Sequence, residues 1–153
     1  MLKALISELA VRPSSERVDN QYREPELREN LKIFLDYIAK HGSRLLVVGE
    51  APGYRGCRLS GIPFTSGQVI ETSPHSFFTE CRHRLKLKQV AAEATATIFW
   101  GFLTDKELLP LMWNAFPFHP HQSGAPESNR KPEAAEIEEG LYCRLHSSSS
   151  FRM

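Results

Sequence analysis

The sequence predicts a small α/β domain, because short apolar runs of the kind found in parallel strands alternate with amphipathic helical segments. Residues 45–48, Leu-Leu-Val-Val, are typical of a strand buried on both faces of a parallel sheet. Residues 111–113 indicate a second strand, with Asn114 at its carboxyl end. Leu27, Leu31, Phe34, Leu35 and Ile38 recur at helical spacing before the first strand.

The composition is that of one ordinary globular domain. The 153 residues are 41% hydrophobic and 24% charged, with a formal net charge of +1 and a pI of about 7.8. Bulk charge therefore does not indicate a nucleic-acid-binding protein, although a local basic face is enough for brief contact with DNA. Cys57, Cys81 and Cys143 are widely spaced and odd in number, which predicts reduced thiols. No apolar run has membrane-spanning length, and we expect a soluble, cytoplasmic protein without a membrane partner.

The first part of the chain predicts two helices with a loop between them. Apolar residues at positions 2, 5, 6 and 9 mark one face of a short helix, and residues 12–23 form a polar loop. Pro25 suits the first turn of the second helix and Gly42 its C-terminal end.

The second half is less regular in pattern. Residues 67–79 are expected to form a loop, and the basic run 82–88 is either a solvated surface or a phosphate contact. Residues 95–103 suggest a helix capped by a threonine and carrying Ile98, Phe99 and Phe102 inward, although a strand also fits. Residues 122–130 read as a loop and 132–144 as a helix weakened at Gly140, and we expect 146–153 to be disordered.

A glycine- and proline-rich loop follows the first strand. Its sequence is Gly49-Glu50-Ala51-Pro52-Gly53, so an acid lies where open α/β sheets place their ligands. Together with Gly61-Ile62-Pro63-Phe64-Thr65-Ser66, it resembles the first motif of the uracil-DNA glycosylase superfamily. The segment Trp113-Asn114-Ala115-Phe116-Pro117-Phe118-His119-Pro120 resembles the second. The resemblance implies a three-layer α/β/α sandwich and a monomeric repair enzyme acting on DNA that contains uracil or a related deaminated base.

Excision of a base requires a flipped nucleotide in a pocket, and the motifs assign residues to that task. Phe64 supplies the stacking face and Asn114 the group that reads the base edge. An asparagine carboxamide matches the N3–H donor and O4 acceptor of uracil, whereas cytosine reverses both groups. The alternatives, Phe64 as a core residue and Asn114 as a strand-end cap, remain open.

Glu50 is the candidate catalytic acid, which would position water against the sugar carbon. The best-studied branches of the superfamily carry an Asp or Asn one position later, where this chain has Ala51, so Glu50 substitutes for that residue rather than aligning with it. The loop residues Gly49, Ala51, Pro52 and Gly53 are assigned to substrate binding, and so is His119 of the second motif.

The third motif of the superfamily, usually His-Pro-Ser, has no copy in this sequence. His146-Ser147-Ser148 lacks the proline and lies too soon after Asn114 for the expected strands. The resemblance therefore covers about residues 20–140, and residues 141–153 are expected to be a divergent tail from a truncated or shifted reading frame. A catalytically inactive remnant with weak DNA binding is one alternative. A phosphate- or nucleotide-binding module built on the glycine-rich loop is another.

No cofactor is expected. Family members with an iron–sulfur cluster use four cysteines, some before the first motif, and this chain has none before Cys57. His119 and His121 form an H-x-H pair without an evident third metal ligand, so we expect no metal site.

Overall fold

The computed structural model describes the backbone of residues 2–148 and the side chains of residues 2–141. The helices are α1 (Leu2–Val11), α2 (Pro25–His41), α3 (Cys57–Ser60), α4 (Gly67–Thr72), α5 (Ser76–Cys81), α6 (Ala94–Leu103) and α7 (Ala134–Ser148). The strands are β1 (Val18–Asp19), β2 (Leu46–Gly49), β3 (Leu111–Asn114) and β4 (His119–Pro120). The fold is mixed α/β, as predicted.

The longest of the described helices, α2, forms as its sequence predicts. Pro25 occupies the first turn, and Gly42 ends the helix at φ 66°, a conformation that glycine adopts without steric cost. Its apolar face carries Leu31 and Phe34, which are fully buried in the core.

The two predicted strands pair in parallel, as expected. Leu46 lies opposite Leu111, and Gly49 lies opposite Asn114, so both strands end at the same edge. Strand β1 lies within residues 12–23, where the sequence predicted only a loop, and it pairs antiparallel with β4. A 3₁₀ turn over Gln21–Arg23 follows β1.

The prediction that the first strand is buried on both faces is wrong. Leu45, Leu46 and Val48 are 52%, 45% and 45% exposed. Among the described residues β2 pairs on one side only, with β3, and the described helices leave the Leu46 and Val48 face open to solvent. The apolar run predicted a strand correctly but carries no information about what covers it.

Two further predictions are wrong, and capping explains the first. Residues 67–79, expected as a loop, contain α4 and most of α5, whose N-termini are capped by the Ser66 hydroxyl and the His75 ring. Helix α6 forms where expected, but of its predicted inward residues only Phe99 packs against the core, while Ile98 and Phe102 are 74% and 67% exposed. Trp100 is buried instead. The cap of α6 is Glu93, not a threonine.

Gly140 does not weaken α7. It is buried in the middle of the helix, where the backbone lies so close to Ala115 and Phe116 that any side chain would collide with them. The glycine thus brings α7 against the segment that follows β3. The helix continues to Ser148, further than expected, and residues 149–153 of the predicted tail lie outside the described residues.

Two of the cysteines can be placed: Cys57 and Cys81 are free and buried, while the side chain of Cys143 lies outside the described part. None of the helices that the structure describes is long and apolar enough to cross a membrane.

Candidate functional site

The candidate site lies at the edge where β2 and β3 both end. Backbone hydrogen bonds extend the ladder past the strands: Ala115 N–H donates to Gly49 O at 2.8 Å, and Phe116 N–H donates to Glu50 O at 3.0 Å. The start of the Gly49–Gly53 loop is therefore fixed directly against the residues that follow Asn114.

Phe64 and Asn114 converge on Gly49. A Cβ built on Gly49 would lie 2.7 Å from Oδ1 of Asn114 and 2.8 Å from Cζ of Phe64. Both distances are shorter than real Cβ contacts, so only glycine admits the two side chains together. The structure thus brings together three predicted site residues that are far apart in the sequence.

Phe64 is held in a strained backbone conformation. Its φ of 55° is in the left-handed region, which costs a non-glycine residue on the order of 1–2 kcal/mol. The neighbouring backbone is fixed by Ser60, whose hydroxyl donates to Thr65 O at 2.7 Å, and by Trp100, whose indole N–H donates to the Thr65 hydroxyl at 3.1 Å. The Phe64 ring packs against Phe99 at 5.0 Å between centroids and stays partly exposed. Strain kept in this way is a common feature of functional sites.

The Asn114 side chain is almost fully buried but has no hydrogen-bond partner among the described residues. The residue is 4% exposed, and its amide atoms are not among the side-chain atoms that are fully closed off without a partner. The donor and the acceptor are therefore both open to a ligand.

Glu50 projects from the loop into solvent. Its side chain is 56% exposed, and Oε1 lies 3.5 Å from Nζ of Lys131, which is itself 81% exposed. Because both side chains are exposed to solvent, this contact does not fix the carboxylate. The position of Glu50 therefore depends on the backbone of the Gly49–Gly53 loop.

Strand β4 and the segment after it hold the loop from one side. His119 has no solvent exposure, and its ring nitrogens lie 2.7 Å from Pro52 O and 3.0 Å from Pro126 O. Further along, Tyr54 N–H donates to Oδ1 of Asn129 at 3.0 Å. Since His119 is closed off in this way, we assign it to positioning the loop rather than to contact with a base.

The His119 ring cannot satisfy both carbonyls when it is neutral, because a neutral imidazole carries one N–H. Burial lowers the pKa of His119 below its ordinary value, and the carbonyls of Pro52 and Pro126 oppose that effect. Nearby Arg58 and His121 lower the pKa of His119 further.

The Gly49–Gly53 loop also presents free backbone donors. Within the described residues, no hydrogen bond engages the N–H groups of Glu50, Ala51 or Gly53. Successive unpaired N–H groups of this kind can stabilise a developing negative charge.

Sequence reasoning missed Glu93, Asn129 and Lys131. They lie 40, 75 and 81 residues beyond the residues they contact, which are Gly53, Tyr54 and Glu50, and nothing local in the sequence marks them. Asn129 stands in a loop without periodicity, and Glu93 precedes two threonines that are better-known helix caps.

Other features of the surface do not form a competing site. In the part that the structure describes, no three His, Cys, Asp or Glu side chains are grouped to hold a metal ion. A cleft of about 510 Å³ is lined by Asp19, Glu24, Arg58 and Lys88, among others. Two of its three cations are already paired, Arg58 with Asp19 at 2.7 Å and Lys88 with Glu24 at 2.9 Å. The third, Arg23, forms no ion pair with a described residue.

No model of a known protein family matches the chain, and no curated protein matches it significantly. The functional interpretation therefore depends on the motifs and on the geometry of these residues.

Proposed function

We propose that the chain is a DNA repair glycosylase that hydrolyses the N-glycosidic bond of uracil, or of a related deaminated base, in DNA. One observation carries the proposal. The ring of Phe64 and the carboxamide of Asn114, which makes no hydrogen bond to a described residue, both lie against Gly49 at the edge of a parallel sheet. A flipped pyrimidine needs such a pair, a surface to stack on and a polar group that reads its edge.

Asn114 supplies the base reading. Its amide N–H donates to uracil O4 while its oxygen accepts from N3–H, so both polar atoms of the buried side chain are satisfied. Cytosine would leave them unpaired, at a cost of about 1–3 kcal/mol each. Phe64 replaces the stacking that the base loses on leaving the duplex.

Residues of the Gly49–Gly53 loop would supply the groups that cleave the glycosidic bond. A water oxygen bonds to C1′ as the C1′–N1 bond breaks, and the bonding electron pair leaves with the uracil ring. Glu50 orients this water, accepts its proton and stabilises the positive charge that develops on the sugar. The free N–H groups of Ala51 and Gly53 face the negative charge that grows on uracil O2.

We also propose a three-layer architecture and a basic surface that contacts DNA phosphates. The parallel pair β2–β3 would be the centre of a three-layer α/β/α sandwich. Of the basic run, Arg82 is committed to the carbonyls of Ile70 and Ser73, and Lys88 to Glu24, which leaves Arg84 and Lys86 exposed for phosphate contact.

A second candidate, a non-catalytic remnant that binds DNA or uracil weakly, is favoured by one observation. The apolar face of β2 at Leu46 and Val48 is open among the described residues, which favours a less completely packed domain.

Single-turnover uracil release from single- and double-stranded oligonucleotides separates the two candidates. The proposal predicts release from uracil-containing strands and none from matched cytosine strands. Uracil binding without release would favour the remnant. Thermal stabilisation by nucleotides, without any effect of uracil, would favour a phosphate-binding module instead.

A further inference from the structure

Glu93 reaches from the start of α6 back to the loop that carries Glu50. Its Oε2 accepts a hydrogen bond from Ala96 N–H at 3.1 Å, which caps the helix and fixes the carboxyl group. Asp, Asn, Ser and Thr are the usual residues at this position, because their short side chains suffice for the cap. A glutamate must fold back to make the same bond, so its extra length calls for another explanation.

The explanation lies in two glycines of the loop. A Cβ built on Gly53 would lie 3.2 Å from Oε1 of Glu93, and one built on Gly56 would lie 2.8 Å from Oε2. The carboxyl group therefore packs directly on the backbone of the turn from Gly53 to Gly56. The same turn is closed by Gly56 N–H, which donates to Gly53 O at 3.2 Å.

We infer that Glu93 is a positioning residue for the proposed glycosylase reaction: its carboxyl group fixes the Gly53–Gly56 turn and, through it, Glu50. The inference rests on the proposed function. Glu50 has no rigid side-chain partner of its own, so its position depends on the loop backbone. The loop is held by His119 and Asn129 on one side and by Glu93 on the other.

Supporting this role, burial raises the pKa of the Glu93 carboxyl, and only the bond from Ala96 N–H opposes the shift. Only Oε2 accepts the capping bond, while Oε1 lies against Gly53. The carboxyl is thus partly buried by its contact with the loop.

The test compares Glu93→Asp, which keeps the cap but falls short of the glycines, with Glu93→Gln, which keeps both length and acceptor. Exposed Glu71 provides the matched control, Glu71→Asp. Uracil release under single-turnover conditions and affinity for a non-cleavable uracil oligonucleotide are measured for each variant. We expect Glu93→Asp to lose on the order of tenfold to a hundredfold in rate with unchanged DNA affinity. Glu93→Gln and Glu71→Asp should stay near the wild-type rate.

Amide hydrogen exchange at Tyr54, Gly56 and Arg58, whose N–H groups are hydrogen-bonded in and around this turn, gives a readout independent of activity. Faster exchange in Glu93→Asp, together with the slower release, supports the inference. Unchanged exchange, or a wild-type rate despite faster exchange, overturns it. A wild-type chain that releases no uracil refutes the proposed function and the inference with it, while the exchange data still report whether Glu93 holds the loop.

Discussion

Gly49 is the residue on which the candidate pocket depends most. It has no positive φ that would require glycine, so the requirement comes from the space that Phe64 and Asn114 occupy around it. The sequence predicts this residue as part of a substrate-binding loop, but not that two side chains fill the space around it. The convergence of two side chains on it, one 15 and the other 65 residues away, follows from tertiary structure.

We expect Gly49→Ala to slow uracil release by at least about tenfold, because the new methyl group displaces the ring of Phe64 or the amide of Asn114. Single-turnover assays measure the effect. Gly101→Ala is the matched control, since a Cβ there meets nothing within 4 Å. That change should leave release intact and stabilise α6 by about 0.5–1 kcal/mol. Equal rates for both variants would remove Gly49 from the site.

Asn114→Asp should weaken the preference for uracil over cytosine. An ionised carboxylate only accepts, so it loses the bond to O4 and repels it, and the preference should fall by roughly tenfold to a hundredfold. Competition between uracil and cytosine oligonucleotides measures this ratio. Asn129→Asp retains the acceptor for Tyr54 N–H and should keep the wild-type preference. Unchanged discrimination in Asn114→Asp would exclude the reading role.

At the scale of elements, α6 supports the site through its buried side. Trp100 is 1% exposed and bonds Thr65, next to the strained Phe64, while Phe102 on the same helix is open to solvent. The sequence left helix and strand both open for residues 95–103 and chose Ile98, Phe99 and Phe102 as the inward face. That choice is wrong for Ile98 and Phe102, because residues 98–103 are apolar on every side of the helix except at Gly101.

Trp100→Ala should therefore destabilise the protein by about 3–5 kcal/mol through the cavity and the lost bond to Thr65. Phe102→Ser, by contrast, should change stability by less than about 0.5 kcal/mol. Urea denaturation of both variants checks the difference. A larger loss for Phe102→Ser would mean that this face is covered in solution.

The parallel pairing of β2 and β3 was predictable from two apolar runs, and so was the meeting of Glu50 and Asn114 at one edge. The residues that contact the loop were not predictable, because Glu93, Asn129 and Lys131 reach it across long sequence separations. Burial of β2 also failed as a prediction, because it depends on neighbours that an apolar run does not specify.

For the whole molecule, buried histidines predict how stability depends on pH. Burial lowers the pKa of both His75 and His119, so the unfolded chain binds protons first as pH falls. Their contribution to stability is complete above the unfolded-state pKa of about 6.5 and is lost as pH falls below it. The urea midpoint should thus decrease between pH 7.5 and 5.5.

His119→Gln should make this decrease shallower, since glutamine does not titrate and still donates to one carbonyl. Unfolding curves for both proteins at each pH give the comparison. A midpoint that rises on acidification, or an identical slope in the variant, would contradict the role of His119.

The central claim is that Glu50 of the Gly49–Gly53 loop is the acid that orients water for base excision. It is tested most directly by comparing the wild type with Glu50→Ala. Single-turnover uracil release and binding of a non-cleavable uracil oligonucleotide are measured together, with Glu71→Ala as the exposed control. We predict that Glu50→Ala loses release while keeping DNA affinity, and that Glu71→Ala loses neither. No release from folded wild-type protein, or equal losses of release and binding in Glu50→Ala, would contradict the claim.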